Sequence, residues 1–97
     1  MVVAIAVLEL HLPSARSLKD KRRVVKGLVD RMHARFRVSV AETDFHDLHQ
    51  RAEIGVAAVG RSERELDHLM SELRRLADDE VEAFVARWEP QYLEDRA

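Results

Sequence analysis

Residues 1–12 read MVVAIAVLELHL and residues 17–37 read SLKDKRRVVKGLVDRMHARFR, and these two segments decide the fold. In the first, apolar residues occupy both alternating rows, as is typical of a strand in the middle of a sheet. In the second, apolar side chains recur at helical spacing, and Ser17 with Asp20 three residues later resembles a capping box. The chain is therefore predicted to begin with a buried strand and a capped amphipathic helix.

The remaining sequence predicts two more strands, a second helix and a last strand. The predicted elements are strands over residues 35–42 and 51–60, a helix over residues 62–77, a strand over residues 81–88, and a polar tail over residues 90–97 that frays. Ser62 and Glu65 form a clear capping box at the start of the second helix. The order is β-α-β-β-α-β in a single domain that spans residues 1–97.

This order predicts an α+β fold, a ferredoxin-like βαββαβ sandwich. Its antiparallel four-stranded sheet carries both helices on one face, and right-handed crossovers place the first and third strands in the middle. The first strand has one apolar row of Val3, Ile5 and Val7, and a second of Ala4, Ala6, Leu8 and Leu10. One row must lie on the face without helices. An exposed apolar surface of this kind predicts a homodimer, formed through the open face or an edge strand.

Composition places limits on the class of protein. The chain has 97 residues, 35% of them charged, with no cysteine, which excludes disulfides and thiolate metal sites. No apolar run is long enough to cross a membrane, so a cytoplasmic protein without membrane contact is expected. Asparagine is absent and glutamine occurs twice. Few thermolabile residues among many charges suggest a thermophile, and a GC-rich genome would give a similar bias.

Charge is divided unevenly along the chain. Residues 1–37 hold nine basic and three acidic residues, a net charge of +6, and residues 38–97 hold seven basic and fifteen acidic, a net charge of −8. Several cations crowd the predicted start of the first helix, where the helix dipole disfavours them. This predicts a site for phosphate or a polyanion. Its candidate residues are Ser14, Arg16, Ser17, Lys19, Arg22, Arg23 and Lys26.

An alternative interpretation treats the same cations as an ordinary solvated helix face. They would then pair with acidic residues of the second helix, such as Glu72 or Asp78. Lys21 lies at the edge of the apolar stripe, and its ammonium group is expected to reach solvent along that edge. The helix has no aromatic residue on which a base could stack, so backbone or shape recognition of folded RNA is favoured over reading of single strands.

The sequence gives no clear sign of catalysis or of a cofactor. Asp44, His46, Asp47 and His49 are possible metal ligands, but their spacing matches no known metal motif, and no metal site is predicted. There is no nucleophile elbow and no glycine-rich phosphate loop. Glu9 with His11 lacks a third partner for acid–base chemistry. We therefore expect a protein that is not an enzyme.

Four segments resemble a known family. They are LELHL at residues 8–12, SLKDKR at residues 17–22, VSVAE at residues 38–42 and QRA at residues 50–52. In this order they are similar to the YlxP-like bacterial family, a domain of unknown function. The resemblance implies a small cytoplasmic ferredoxin-like protein, whose genes often lie beside genes for translation initiation and ribosome maturation. It implies no established catalytic or ligand residues.

Three functional hypotheses follow. The first is a non-catalytic RNA- or ribosome-associated protein that binds through its basic first helix. The second is a protein-interaction or scaffold module that dimerises through its sheet. The third is a regulatory domain that binds a small anion or a metal.

Overall fold

The computed structural model describes residues 1–95 and has the predicted order of elements. These are β1 (Val2–His11), α1 (Leu18–Arg35), β2 (Ser39–Asp44), β3 (Arg51–Gly60), α2 (Glu63–Asp78) and β4 (Phe84–Glu94). The strands form one sheet in the order β2-β3-β1-β4, and every neighbouring pair is antiparallel. The predicted ferredoxin-like α+β fold, with the first and third strands in the centre, is confirmed. Neither helix combines the length and apolar character that a membrane span needs.

The core lies between the sheet and the two helices. One row of β1 is fully buried there, and it is made up of Ala4, Ala6, Leu8 and Leu10. Leu28 and Met32 of α1 pack into the same cluster, together with Leu66, Met70 and Leu73 of α2. The other row of β1 lies on the open face of the sheet, where Ile5 is 49% exposed. The sequence-based expectation of an apolar row on that face is therefore correct.

The last strand differs from its predicted limits. Residues 90–94 were expected to belong to a frayed tail, but they continue β4 and pair with β1, as Tyr92 does with Ala4 and Leu93 with Val3. Pro90 lies within this strand, and β4 is an edge strand, where a missing N–H can face outward at no cost to the ladder. Residues 96 and 97 of the predicted tail lie outside the described residues.

Tyr92 holds this extended strand against α2. Its hydroxyl donates a 2.8 Å hydrogen bond to Oδ1 of Asp67. Burial, followed by the bond to Asp67, raises the pKa of Tyr92 to about 12. A neutral phenol is thus favoured in the folded state, and the stability it contributes is complete below pH 10, the ordinary pKa of tyrosine, and is lost as pH rises towards 12.

Tyr92 is the single tyrosine of the chain, so its titration can be read directly by absorbance. We expect one phenolate transition near pH 12 in the native protein. Asp67→Asn should lower that pKa only in part, because burial is the larger cause. An ordinary midpoint near pH 10 in protein that is still folded by circular dichroism would show that Tyr92 is not held in this way.

Candidate nucleic-acid interface

The start of α1 is closed by side chains of its own sequence. The hydroxyl of Ser17 accepts a 3.1 Å hydrogen bond from the N–H of Asp20, and a carboxylate oxygen of Asp20 accepts one of 3.0 Å from the N–H of Arg16. The predicted capping arrangement is therefore present. Since Asp20 also brings a negative charge to the helix start, the backbone N–H groups there offer less to a phosphate than the sequence suggested.

Two of the predicted cations are engaged within the chain. Arg23 makes a two-pronged contact with Glu82, with hydrogen bonds of 3.1 and 2.8 Å, and this contact raises the pKa of Arg23 and lowers the pKa of Glu82. Lys26 lies 2.7 Å from Asp30, one helical turn away. The alternative of internal pairing therefore holds for these two. Their partners lie in α1 itself and in the turn before β4, and not at Glu72 or Asp78.

Three of the predicted cations keep free, exposed side chains. Arg16, Lys19 and Arg22 are all exposed, and within residues 1–95 no carboxylate pairs with their side chains. Lys19, Arg22 and Lys26 follow one another at spacings of three and four residues, so they form one stripe along the helix. With a rise of 1.5 Å per residue, the stripe is about 10 Å long. We call Arg16, Lys19 and Arg22 the free cation group.

Ser14 has a different environment from the free cation group. It lines a small cavity of about 100 Å³ together with Asp20, Arg23 and Glu82. Two carboxylates face this cavity against a single guanidinium group, and that balance disfavours an anion. The seven predicted residues thus have four different surroundings. Ser14 lines the small cavity, Ser17 caps the helix, Arg23 and Lys26 form exposed ion pairs, and the other three make up the free cation group.

Lys21 is placed differently from its prediction. It was expected to reach solvent, but it is fully buried. Its ammonium group donates to the carbonyl oxygens of Phe45 at 2.7 Å and Arg51 at 3.2 Å, and it lies 3.0 Å from Oε2 of Glu42. Among the described residues no donor is aligned with that carboxylate oxygen, so Glu42 contributes charge and not a well-directed hydrogen bond. The position of Lys21 on the apolar stripe between Leu18 and Val25 was the signal for burial.

The buried lysine fixes the loop that joins β2 to β3. Phe45, which accepts from Lys21, adopts the left-handed conformation with φ of 63°. The guanidinium group of Arg51 lies 4.0 Å from the centre of the Phe45 ring and is hydrogen-bonded to the carboxylate of Glu9. At the other end of the loop, Gln50 donates to the carbonyl oxygen of Pro13 at 3.3 Å. The loop is thus tied to α1, to β1 and to the segment between them.

A cleft of about 520 Å³ lies beside this loop, at the end of the open face. Its walls are formed by Glu9, His11, Asp47, Leu48, His49, Gln50, Arg51 and Ala86. Glu9, which sequence reasoning considered as an acid–base partner of His11, is instead hydrogen-bonded to Arg51. Throughout residues 1–95, no three histidine or acidic side chains are grouped so that they could hold a metal ion.

Comparison with known proteins gives the family. The family model described as a protein of unknown function, DUF503, matches residues 3–89. This chain belongs to the DUF503 family. It is also 31% identical over 90 residues to the uncharacterized protein YlxP of Bacillus subtilis (strain 168), which covers 91% of this chain and 98% of that protein. The YlxP-like resemblance inferred from the sequence is therefore confirmed. Neither match carries an activity with it.

In this DUF503 domain, the segments that carry the resemblance meet around Lys21. That residue belongs to the second segment, Glu42 ends the third, and Arg51, whose carbonyl oxygen accepts from Lys21, lies in the fourth. Glu9 of the first segment binds the Arg51 side chain. The four segments, which lie far apart in the sequence, thus build a single piece of structure that supports the loop and the cleft.

Proposed function

We propose that this DUF503 domain is a non-catalytic, cytoplasmic RNA-binding protein that contacts the phosphate backbone of folded RNA through α1. The observation that carries the proposal is the free cation group: three exposed basic side chains on one helix end, none of them paired within residues 1–95. Cations that the protein's own carboxylates leave unpaired are available to external phosphates. Neutralising phosphates releases condensed counterions, which is a favourable, sequence-independent source of affinity.

The neighbouring ion pairs extend this surface and do not block it. The side chains of Arg23 and Lys26 are 63% and 77% exposed in their pairs. Exposed pairs add little to stability because solvent screens them, so either cation can exchange its carboxylate for a phosphate. Lys26 lies directly beyond Arg22 on the helical stripe. The contact surface is therefore a row of three to four cations, suited to a helical backbone and unsuited to reading bases, since no aromatic side chain lies within α1.

A charge-reversal experiment tests the proposal. Binding of a labelled RNA duplex of about 16 base pairs is measured by fluorescence anisotropy at low salt. The double variant Lys19→Glu/Arg22→Glu is expected to weaken binding by about tenfold or more, because two attractive contacts become repulsive. The fold should survive, since both changes place acidic residues in the first turns of α1, where the dipole favours them.

The matched control reverses two arginines at the start of the other helix. Arg61→Glu/Arg64→Glu changes the net charge by the same amount, and both side chains are exposed. Binding should change little in this variant if α1 makes the contacts. Equal weakening in both variants would mean that only the overall charge matters, and absence of duplex binding by the unmodified protein at low salt would reject the proposal.

A further inference from the structure

Most of the exposed large apolar side chains of the described residues lie on the open face of the sheet or at its end beside the β2–β3 loop. Five of seven lie there: Ile5 at 49% exposure, Leu48 at 45%, Val59 at 67%, Phe84 at 64% and Leu93 at 72%. Both helices lie on the other face, so the chain itself does not cover these side chains within residues 1–95. A contiguous apolar surface of this kind marks an interaction site.

The strand register arranges this face in rungs on either side of β1. Val3 lies between Val59 of β3 and Leu93 of β4. Glu9 lies between Glu53 on the β3 side and Arg87 on the β4 side. At each of these rungs the two flanking residues are alike in character or opposite in charge. A rotation that exchanges the β3 side with the β4 side would therefore place matching groups opposite each other at these two rungs.

We propose that two copies of this chain pack open face to open face about a two-fold axis parallel to β1. This operation lays β1 on β1, so that Ile5 faces Ile5 of the second copy, and Glu9, which is hydrogen-bonded to Arg51 in its own chain, faces Glu9. The β3 side of one copy lies over the β4 side of the other. Val59 then meets Leu93 of the second copy, and Glu53 meets Arg87 of the second copy. Such a contact is self-complementary, as a two-fold interface must be.

The same two-fold operation places a side chain of the second copy at the cleft. Arg51 and Phe84 flank His11 on opposite sides of β1, just as the other rung partners do. Phe84 of one copy is therefore brought over Arg51 and Leu48 of the other, at the cleft of about 520 Å³. An exposed aromatic ring and an open cleft are both explained by one contact. Aromatic side chains that fill such hollows are typical anchors of interfaces.

The alternative two-fold axis, in the plane of the sheets and perpendicular to the strands, is much less favourable. It would reverse the order of the rungs between the two copies, so that Val59 of one copy would lie opposite the rung that contains Arg51 of the other. Apolar side chains would then bury charged ones without partners, which is costly. A perpendicular axis also leaves Glu53 and Arg87 of different copies apart. The rung pattern thus selects the axis parallel to β1.

Charge and area also fit a second copy as the occupant. On β1, β3 and β4 the open face carries three glutamates (Glu9, Glu53 and Glu89) and two arginines (Arg51 and Arg87), so the charge of these strands nearly cancels, whereas the α1 surface is cationic and would repel its own copy. The operation opposes β3, β1 and β4, and β2 lies beyond the edge of the other copy. With three strands about 4.8 Å apart and about 3.3 Å per residue, each face contributes up to about 480 Å². The two faces together bury up to about 950 Å², a size typical of weak, reversible complexes.

The association is measured by sedimentation equilibrium over a range of micromolar concentrations. The unmodified protein is expected to form a dimer. Ile5→Glu, in the centre of the face, should raise the dimer dissociation constant by more than about a hundredfold, because it buries two unpaired carboxylates. Val81→Glu is the control, since Val81 is 91% exposed outside the sheet. It should leave the dimer intact, and circular dichroism verifies the fold of each variant.

A mixing experiment tests the axis itself. Within one chain a guanidinium nitrogen of Arg87 lies 3.7 Å from Glu53, and the proposed contact shares these charges between copies. Glu53→Arg alone and Arg87→Glu alone should each associate weakly, because like charges then face each other. Mixed together they should form a heterodimer, since each arginine now faces a glutamate.

Three results would overturn the proposal. They are a monomer at all micromolar concentrations, a dimer that Ile5→Glu does not weaken, and a mixture of the two charge variants that associates no better than each variant alone. The proposal is independent of RNA binding, because the cations of α1 lie on the other side of the sheet. Failure of either proposal therefore leaves the other standing.

Discussion

Replacing Lys21 with methionine is expected to lower the free energy of unfolding by about 3 kcal/mol. Methionine is similar in length to the lysine side chain, but it carries neither a positive charge nor N–H donors. The carboxylate of Glu42, whose side chain is 18% exposed, would lose its cation, and the carbonyl oxygens of Phe45 and Arg51 would lose a buried donor. Removing one partner from a buried ion pair is costly because the other charge remains. Urea denaturation gives the value directly.

Two further variants separate this effect from a general loss of charge. Lys19→Met removes an exposed lysine from the same helix and should change stability by less than about 0.5 kcal/mol. Lys21→Met combined with Glu42→Gln should recover part of the loss, because the carboxylate is then neutral. A Lys21→Met protein as stable as the Lys19→Met protein would contradict the role assigned to the buried ammonium group.

Truncation of Leu8 to alanine is expected to cost about 3–4 kcal/mol. Leu8 is completely buried in the central strand, between Ile54 of β3 and Trp88 of β4 in the register of the sheet. Removing its terminal carbons leaves a cavity, because strands on both sides and helices above restrict how far the surroundings can relax. The midpoint of urea denaturation should fall while the denaturant slope stays the same.

The control for this variant lies in the turn before β4. Val81→Ala also removes apolar carbon atoms, but from a side chain that is 91% exposed, and it should change stability by less than about 0.5 kcal/mol. Similar losses for Leu8→Ala and Val81→Ala would contradict the assignment of the Leu8 row to the core.

Much of the fold could be predicted from local patterns. The two apolar rows of β1, the helical stripe that ends at Met32, and the Ser62–Glu65 capping box each have one good structural solution, and the hydrogen bonds of both helix caps are present. The last strand was predicted over residues 81–88, but β4 spans Phe84–Glu94 and continues through Pro90, so both limits differ. Only the sheet order shows that β4 is an edge strand, where proline is tolerated.

The candidate site was less predictable, because it depends on contacts between distant residues. Local sequence shows that Arg23 and Lys26 are basic, but the pairing of Arg23 with Glu82 joins residues 59 positions apart. Likewise, Lys21 and Arg51 are 30 positions apart. The position of Lys21 at the edge of the apolar stripe led to the wrong expectation that it reaches solvent, and its buried partners became evident only once the sheet had brought β2 and β3 beside α1.

The two proposed binding surfaces lie on opposite sides of the molecule. The helical side presents the free cation group, while the open face presents apolar residues and balanced charges. A dimer formed through the open face would carry two α1 surfaces pointing away from each other. Each surface could then contact a different phosphate backbone, and the two could act together on one RNA only if it were long enough to reach both.

The salt dependence of RNA binding tests the central claim most directly, namely that the cations at the start of α1 are available to external phosphates. With three contacts, the logarithm of the binding constant should fall with the logarithm of salt concentration with a slope of about −2 to −3. Lys19→Glu/Arg22→Glu should flatten that slope markedly, whereas Arg61→Glu/Arg64→Glu should preserve it. A slope near zero, or one that the α1 changes leave unaltered, would contradict the claim.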